Sequence, residues 1–232
     1  MKEVIPGVFA FERTQGSNVY LIGGEPATLV DAGFPRDAGR VMHQLKKNRR
    51  AYPSLLIATH YHIDHVGSLR NLKEAFGAAV AAHGADADVI EGKVPYQMFK
   101  VDALRTFYYG VLAPLFRYEN VLVETRLSEG DVIGAMGGLE VIHVPGHTEG
   151  SIMLYQAKRG ILFSGDTLRN EKGVLQGPPP DFSPGTDEAF WHIKEKILNL
   201  DFEILLPGHG AAVLDGARAK VKQMLRSAGS LE

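Results

Sequence analysis

The sequence contains no cysteine among its 232 residues. This absence excludes a disulfide framework, and it also excludes a metal site built on thiolates. A metal ion in this protein would have to be bound by imidazole nitrogen and carboxylate oxygen.

Long apolar runs and a marked excess of charge of one sign are also lacking. No apolar run approaches the roughly 18 residues that a membrane span needs, and the N-terminus lacks a basic segment followed by an apolar core. We therefore expect no membrane association and a cytoplasmic location.

The formal net charge is −2, and the longest basic runs are the doublets Lys46-Lys47 and Arg49-Arg50. Such doublets are typical of a solvated helix end, so no nucleic acid partner is expected.

The composition is that of an ordinary globular protein, with 45% hydrophobic and 22% charged residues. We expect a single domain over residues 1–230, and we interpret residues 231–232 as a remnant of cloning. Apolar alternation predicts strands at residues 8–12, 18–22 and 28–30 and at residues 78–82. Helical spacing predicts helices at residues 37–47, at 69–76 ending at Gly77, at 186–200 with Thr186 as the N-cap, and at 211–225.

Histidine and aspartate residues follow four short apolar runs that we predict to be core strands. The runs are residues 55–58, 139–144, 161–163 and 204–206, and loops at strand ends favour functional residues. These positions provide more imidazole and carboxylate ligands than one tetrahedral ion accepts, which indicates two ions. The predicted ligands are His60, His62, Asp64, His65, His147, Asp166 and His209.

We predict a helical, aromatic-rich insert at about residues 85–118. One interpretation is plain helical core, because aromatic residues at helical spacing usually pack inside. The other is an apolar lid over a substrate pocket, with Phe107 and Tyr108 contacting the substrate. The sequence leaves both open.

Five motifs occur in an order that resembles the metallo-β-lactamase superfamily, in its glyoxalase II and lactonase-like branch. They are LVDAG with Asp31, THYHIDHVG, VPGHTEGS, FSGDT and LPGHG, and they span residues 31–210. The resemblance implies an α+β fold, a four-layer αββα sandwich with the site where the loops of two sheets meet. Asp31 and Thr59 would lie behind the ligands and orient them by hydrogen bonding.

The resemblance also implies how the ligands divide. One ion would be held by His60, His62 and His147, the other by Asp64, His65 and His209, with Asp166 bridging them. The ions would be divalent, with zinc expected first and iron or manganese as alternatives. A hydroxide shared by the two ions would attack a small thioester, ester or lactone, and Asp64 is the acid/base candidate.

Alternatives within and beyond this branch remain. Asp166 and the lack of an export signal disfavour antibiotic hydrolysis. We expect no C-terminal helical domain of the kind found in longer glyoxalase II forms, because only about 20 residues follow Gly210. Lactonases resembling this chain have Tyr three residues after the bridging Asp, where this chain has Arg169. That arginine either binds an anionic substrate group or is a surface loop residue. A small-molecule phosphodiesterase or nuclease, and a non-hydrolytic or redox module, are the rival functions.

The other histidines are interpreted as ordinary residues. His143 lies on a strand, where a spacing of four residues does not bring it beside His147, so we expect core packing or a place behind the ligands. His83 ends a strand near the site, while His43 and His192 are expected to be surface or packing residues. A small-molecule substrate is expected, and monomer and homodimer both remain open.

Overall fold

The structure is a computed structural model that describes residues 1–96 and 119–231. It contains a seven-stranded sheet, a five-stranded sheet and a two-stranded hairpin. In spatial order the first sheet is β1 (Lys2–Ile5), β2 (Val8–Ala10), β3 (Tyr20–Ile22), β4 (Thr28–Val30), β5 (Leu55–Ile57), β6 (Ala79–His83) and β7 (Thr125–Leu127). The second is β14 (Ile204–Pro207), β11 (Ile161–Gly165), β10 (Ile152–Gln156), β9 (Leu139–His143) and β8 (Val132–Ile133), and the hairpin is β12 (Arg169–Glu171) with β13 (Val174–Gln176).

The α-helices in the described ranges lie between strands in the chain, except the last helix, which follows β14. They are α1 (Ala38–Lys47), α2 (Ile63–Val66), α3 (Leu69–Phe76), α4 (Gly84–Ile90), α5 (Thr186–Glu195) and α6 (Ala217–Ser227). Short 3-10 turns occur at Ala135–Gly137, Ala157–Arg159, Pro180–Phe182 and Ile197–Asn199. No helix in the described part of the chain combines the length and apolar character that crossing a membrane requires.

Strand direction brings distant loops to one edge. β1 to β4 pair antiparallel, whereas β4, β5, β6 and β7 pair parallel. Val30 pairs with Ile57 at the ends of β4 and β5, so Asp31 and the residues after Ile57 emerge side by side. In the second sheet β11 and β14 also run parallel, which places the segments after Gly165 and Pro207 together.

Three apolar clusters define the layers. Leu21 and Leu56 of the first sheet pack with Leu45 of α1 and Leu72 of α3. The opposite face of that sheet packs on the second sheet, the other face of which packs on α5 and α6. Each fully buried Leu, Ile or Phe in these clusters stabilises the fold by about 1.5–3 kcal/mol. The layer order is αββα, so the predicted four-layer sandwich is confirmed.

Two of the predicted helices have wrong boundaries. Thr186 is the first helical residue and Gly185 is the cap; α5 ends at Glu195, and a separate turn follows. The C-terminal helix begins at Ala217 and not at residue 211, because Val213 pairs with Leu205 and Gly216 adopts the left-handed conformation with φ 62°. Periodicity cannot detect either constraint, since both depend on tertiary pairing or local backbone turns.

The predicted insert is only partly within the described residues. At its start, α4 buries Ala87 and Ile90 in the cluster beneath the first sheet. Phe107 and Tyr108 lie in residues 97–118, outside the described ranges. The alternatives of lid and static core therefore stay predictions.

Candidate metal centre

The predicted ligands lie on loops that follow β5, β9, β11 and β14. Asp64 and His65 are in α2, a single helical turn within the predicted loop, which directs the two side chains from adjacent positions. The structure brings together all seven predicted metal ligands. They are His60, His62, Asp64, His65, His147, Asp166 and His209.

These residues form two sets with one shared neighbour. The first is His60, His62 and His147 and the second is Asp64, His65 and His209; within each set, one ligand atom per residue lies within 4.8 Å of the others. Asp166 groups with His60 of the first set and His65 of the second.

The Asp166 carboxylate faces histidines of both sets. Its Oδ1 lies 3.2 Å from His65 Nε2, and its Oδ2 lies 3.3 Å from His209 Nε2 and 3.7 Å from His147 Nε2. This is the position that a bridging ligand would occupy. The assignment of these residues as ligands remains a prediction.

The tautomer of His60 follows from its neighbours. Its Nδ1 lies 3.1 Å from Thr59 Oγ1, whose single proton is donated to the Asp31 carboxylate at 2.9 Å. Thr59 Oγ1 must therefore accept from His60 Nδ1–H, which leaves the lone pair on His60 Nε2.

The same reasoning applies to His147. Its Nδ1 lies 2.8 Å from Ser183 Oγ, and Ser183 donates its proton to Pro179 O at 2.7 Å. His147 Nδ1–H is therefore the donor, and the lone pair again lies on Nε2. Sequence reasoning did not identify Ser183, since no local pattern connects it with His147.

The two lone pairs face one another across the first set. His60 Nε2 and His147 Nε2 are 3.1 Å apart. Burial, with the neighbouring histidines, holds the pKa of His60 and of His147 well below its usual range, and burial lowers the pKa of His62 to about 4. Neutral imidazoles with unshared, facing lone pairs repel each other unless a cation lies between them, so the first set fits a metal ion.

Two buried atoms that face each other, one in the second set and one on Asp166, lack a well-formed hydrogen bond. His65 Nδ1 pairs with Asp31 Oδ2 at 2.8 Å, the hydrogen bond predicted to orient the ligand loop, although that role remains untested. His65 Nε2 and Asp166 Oδ1 are buried with no hydrogen-bonding partner of acceptable geometry. Buried polar atoms without partners are rare and costly, and a metal ion between these two would satisfy both.

Charge differs between the two sets. Burial would lower the pKa of His65, but the carboxylates of Asp31 and Asp166 outweigh it and hold that pKa well above its usual range. Burial is likewise outweighed at His209, where hydrogen bonds to Asp166 and Asp64 raise the pKa to about 9. Without metal the second set therefore holds protons, which metal binding would displace.

Glycine is required where Gly208 lies against the ligands. A Cβ there would be 2.4 Å from Asp166 Oδ1 and 2.8 Å from His65 Cε1. Gly165 also has a close neighbour, because a Cβ at that position would be 2.8 Å from Thr59 Oγ1. Because glycine has no Cβ, the loops that contain Gly165 and Gly208 can lie directly against the residues of the centre.

The N-terminal turn supports the second set. Asn18 Nδ2 donates to Pro207 O at 2.9 Å and to Gly210 O at 2.8 Å, on either side of His209. Ser17 Oγ donates to Asp64 O at 2.5 Å. The sequence offered no signal for these contacts, because Asn18 and Gly210 are separated by almost the whole chain.

Arg169 lies within the β12–β13 hairpin. Its side chain is largely buried, Nε donates to Gly177 O at 3.1 Å, and Nη1 pairs with Glu171. These contacts occupy much of the guanidinium. Its predicted contact with a substrate anion remains a prediction.

His83 and His143 stack on each other and belong to neither ligand set. Their ring centroids are 3.9 Å apart with 12° between the planes, and His143 Nε2 donates to Glu149 O at 2.8 Å. Burial and the neighbouring His143 lower the pKa of His83 to about 4.

Comparison with known proteins places the chain in one superfamily. Residues 13–209 match the family model described as "Metallo-beta-lactamase superfamily". The chain is 31% identical over 216 residues to "Probable metallo-hydrolase YflN" of Bacillus subtilis (strain 168), covering 84% of this chain and 81% of that protein. It is 30% identical over 217 residues to "Acyl-coenzyme A thioesterase MBLAC2" of Homo sapiens, covering 86% and 75%.

Two solved structures with the same fold are a protein titled a B3 metallo-beta-lactamase and a protein in a di-iron-bound form. The structure titled BLEG-1 B3 metallo-beta-lactamase aligns with TM-score 0.72 and 22% identity, over 94% of this chain and 96% of that one, a likeness that concerns the fold alone. The structure of TTHA1623 in a di-iron-bound form aligns with TM-score 0.67 and 26% identity, over 92% and 96%.

Proposed function

The chain belongs to the metallo-beta-lactamase superfamily, and from this premise we propose that it is a two-metal hydrolase whose substrate is a small thioester. Esters and lactones are the neighbouring substrate classes. The observation that carries the proposal is the pair of ligand sets joined through Asp166. Thioesters come first because the human relative is named an acyl-coenzyme A thioesterase.

The donor set suits divalent metal ions. When bound, two such ions polarise a carbonyl group and lower the pKa of water, so hydrolysis needs no side-chain nucleophile. His60, His62 and His147 would hold one ion, and Asp64, His65 and His209 the other. We propose zinc on the strength of its preference for imidazole and carboxylate. Iron is the alternative that the di-iron-bound neighbour supports.

Asp64 is the proposed acid/base residue. Burial would raise its pKa, but His65 and a hydrogen bond from His209 outweigh burial and keep that pKa below its usual value. The side chain is still 22% exposed, and its Oδ2 lies 3.1 Å from His209 Nε2. An ionised, partly accessible carboxylate in this place would accept a proton and return it to the departing sulfur or oxygen.

Aromatic rings border the first ligand set and would contact an apolar part of the substrate. The Tyr96 ring centroid lies 5.4 Å from that of Tyr61 and 6.4 Å from that of His62. An acyl chain packed there would be shielded from water while its carbonyl group faced the ligands.

The test is a substrate panel on protein of defined metal content. The panel contains acyl-coenzyme A thioesters, S-lactoylglutathione, aryl esters, lactones and bis-p-nitrophenyl phosphate. We expect thioester cleavage that is lost with a chelator and restored by zinc. Because Asp64 is also a proposed ligand of the second ion, Asp64→Asn is assayed at zinc concentrations that keep both sites occupied, and we expect a large fall in kcat under those conditions. Activity on the phosphodiester alone would refute the proposal and favour the phosphodiesterase alternative.

A further inference from the structure

A buried carboxylate outside the ligand sets connects two of the ligand loops. Asp86 lies in α4 and is 1% exposed. Its Oδ2 accepts hydrogen bonds from Tyr61 N at 2.9 Å and from Thr148 Oγ1 at 2.8 Å. Its Oδ1 accepts from Gly150 N at 2.7 Å.

These donors flank every member of the first ligand set. Tyr61 lies between His60 and His62, and Thr148 directly follows His147. The two loops follow strands of different sheets. The local sequence of either loop therefore cannot set the distance between them. Asp86 joins them through a single side chain.

The backbone of the loop that contains His147 lies very close to the Asp86 carboxylate at Gly150. A Cβ on Gly150 would lie 2.5 Å from Asp86 Oδ1 and 2.6 Å from Asp86 Cγ. Glycine therefore allows the loop backbone to reach the carboxylate. A carboxylate with uncharged donors is an expensive group to bury, and burial raises the pKa of Asp86 to about 7.

We propose that Asp86 is a positioning residue of the first ligand set: by holding Tyr61, Thr148 and Gly150 on one carboxylate, it sets the separation of the His60–His62 segment from His147. This inference rests on the proposed metal-binding role of those histidines. Loss of the junction would weaken the binding of one ion while leaving the ligands themselves intact.

Asp86→Asn is the direct test. An asparagine has one acceptor oxygen and one amide donor in place of two acceptor oxygens, so at least one of the three donors would face another donor. We expect affinity for one of two zinc ions to fall about 10- to 100-fold, the range for loss of groups behind metal ligands. The other ion should bind as in the wild type. Chelator competition measures both steps without a substrate.

His147→Ala and His209→Ala identify which step belongs to which set, and Asp86→Asn should resemble the former. Asp37→Asn is the matched control, because Asp37 is also fully buried and accepts from Gln15 N at 2.8 Å and Phe34 N at 3.0 Å. Asp37→Asn should lower the melting temperature and leave the zinc affinity of the first ligand set unchanged.

Two further variants keep the test decisive if Asp86→Asn does not fold. Thr148→Val removes one donor while preserving shape, and Gly150→Ala forces the loop away from Asp86; each should weaken the same zinc step. Wild-type affinity for both ions in the folded variants, with only a lower melting temperature, would overturn the proposal. A wild-type protein that binds two ions but cleaves no substrate would refute the proposed function, and the zinc measurements would still decide the role of Asp86.

Discussion

Replacing Gly208 with alanine adds one methyl group to the wall of the metal centre and alters none of the predicted ligands. The added Cβ would lie 2.4 Å from Asp166 Oδ1, whereas ordinary contact begins at 3.4 Å. The carboxylate and the loop must therefore move apart by about 1 Å. Metal–ligand distances tolerate only about ±0.2 Å, so the movement is several times what a bridging ligand allows.

The surrounding side chains have little room to adjust. His65 Cε1 would be 2.8 Å from the same methyl group, and His65 is held from behind by Asp31 at 2.8 Å. We expect Gly208→Ala to lower metal affinity by at least about tenfold, as loss of a group behind the ligands does. Overpacking should also reduce the free energy of unfolding of the metal-free protein by about 1–3 kcal/mol.

The measurements are metal content after dialysis, zinc affinity by chelator competition, and denaturant unfolding of the metal-free protein. Gly39→Ala is the matched control, since a Cβ there meets nothing within 4 Å and the residue lies inside α1. That substitution should stabilise the protein by about 0.5–1 kcal/mol and leave metal affinity unchanged. If Gly208→Ala retained two ions at wild-type affinity, the proposed position of Asp166 between them would be wrong.

Four more predictions concern the charged and titratable groups of the centre. Asp166→Asn should reduce the metal content from two ions to one, measured by elemental analysis; two retained ions would contradict a bridging role. In the metal-free protein, the pKa of His209 is raised to about 9, so its contribution to stability is complete below its unfolded value of about 6.5 and is lost as the pH rises through 9. Melting temperatures from pH 6 to 10 should fall in the wild type and change less in His209→Gln. The pKa of His62 is lowered to about 4, so the stability of the metal-free protein should also decline as the pH falls from about 6.5 towards 4. In His62→Gln the melting temperature should decrease less over this pH range. Asp31→Asn should weaken zinc binding about 10- to 100-fold with the ligands unchanged, and equal affinity would exclude an orienting role.

Local patterns were sufficient for elements whose determinants are adjacent in the chain. The spacing of Leu69, Leu72 and Phe76 followed by Gly77 predicted α3, and Gly77 indeed ends it in the left-handed conformation with φ 65°. The apolar run before His60 predicted β5. Patterns failed where a long-range contact decides, as at residues 211–216, where pairing of Val213 with Leu205 replaces the predicted helix.

The sequence by itself determined the chemistry available to this protein. Without cysteine, its only clustered metal-binding side chains are imidazoles and carboxylates, and each of them follows a short apolar run that had to become a core strand. Strand ends and ligand types are local properties, so they can be predicted from the sequence.

Only the tertiary structure decided how these residues combine. Parallel pairing of β4 with β5 puts Asp31 behind His65, and packing of one sheet on the other brings His147 within 3.1 Å of His60. Ser183 and Asp86 contact the ligand loops from segments that no spacing connects to them. Hydrogen bonds across the fold depend on which loops become neighbours, and that is set by the packing of the two sheets.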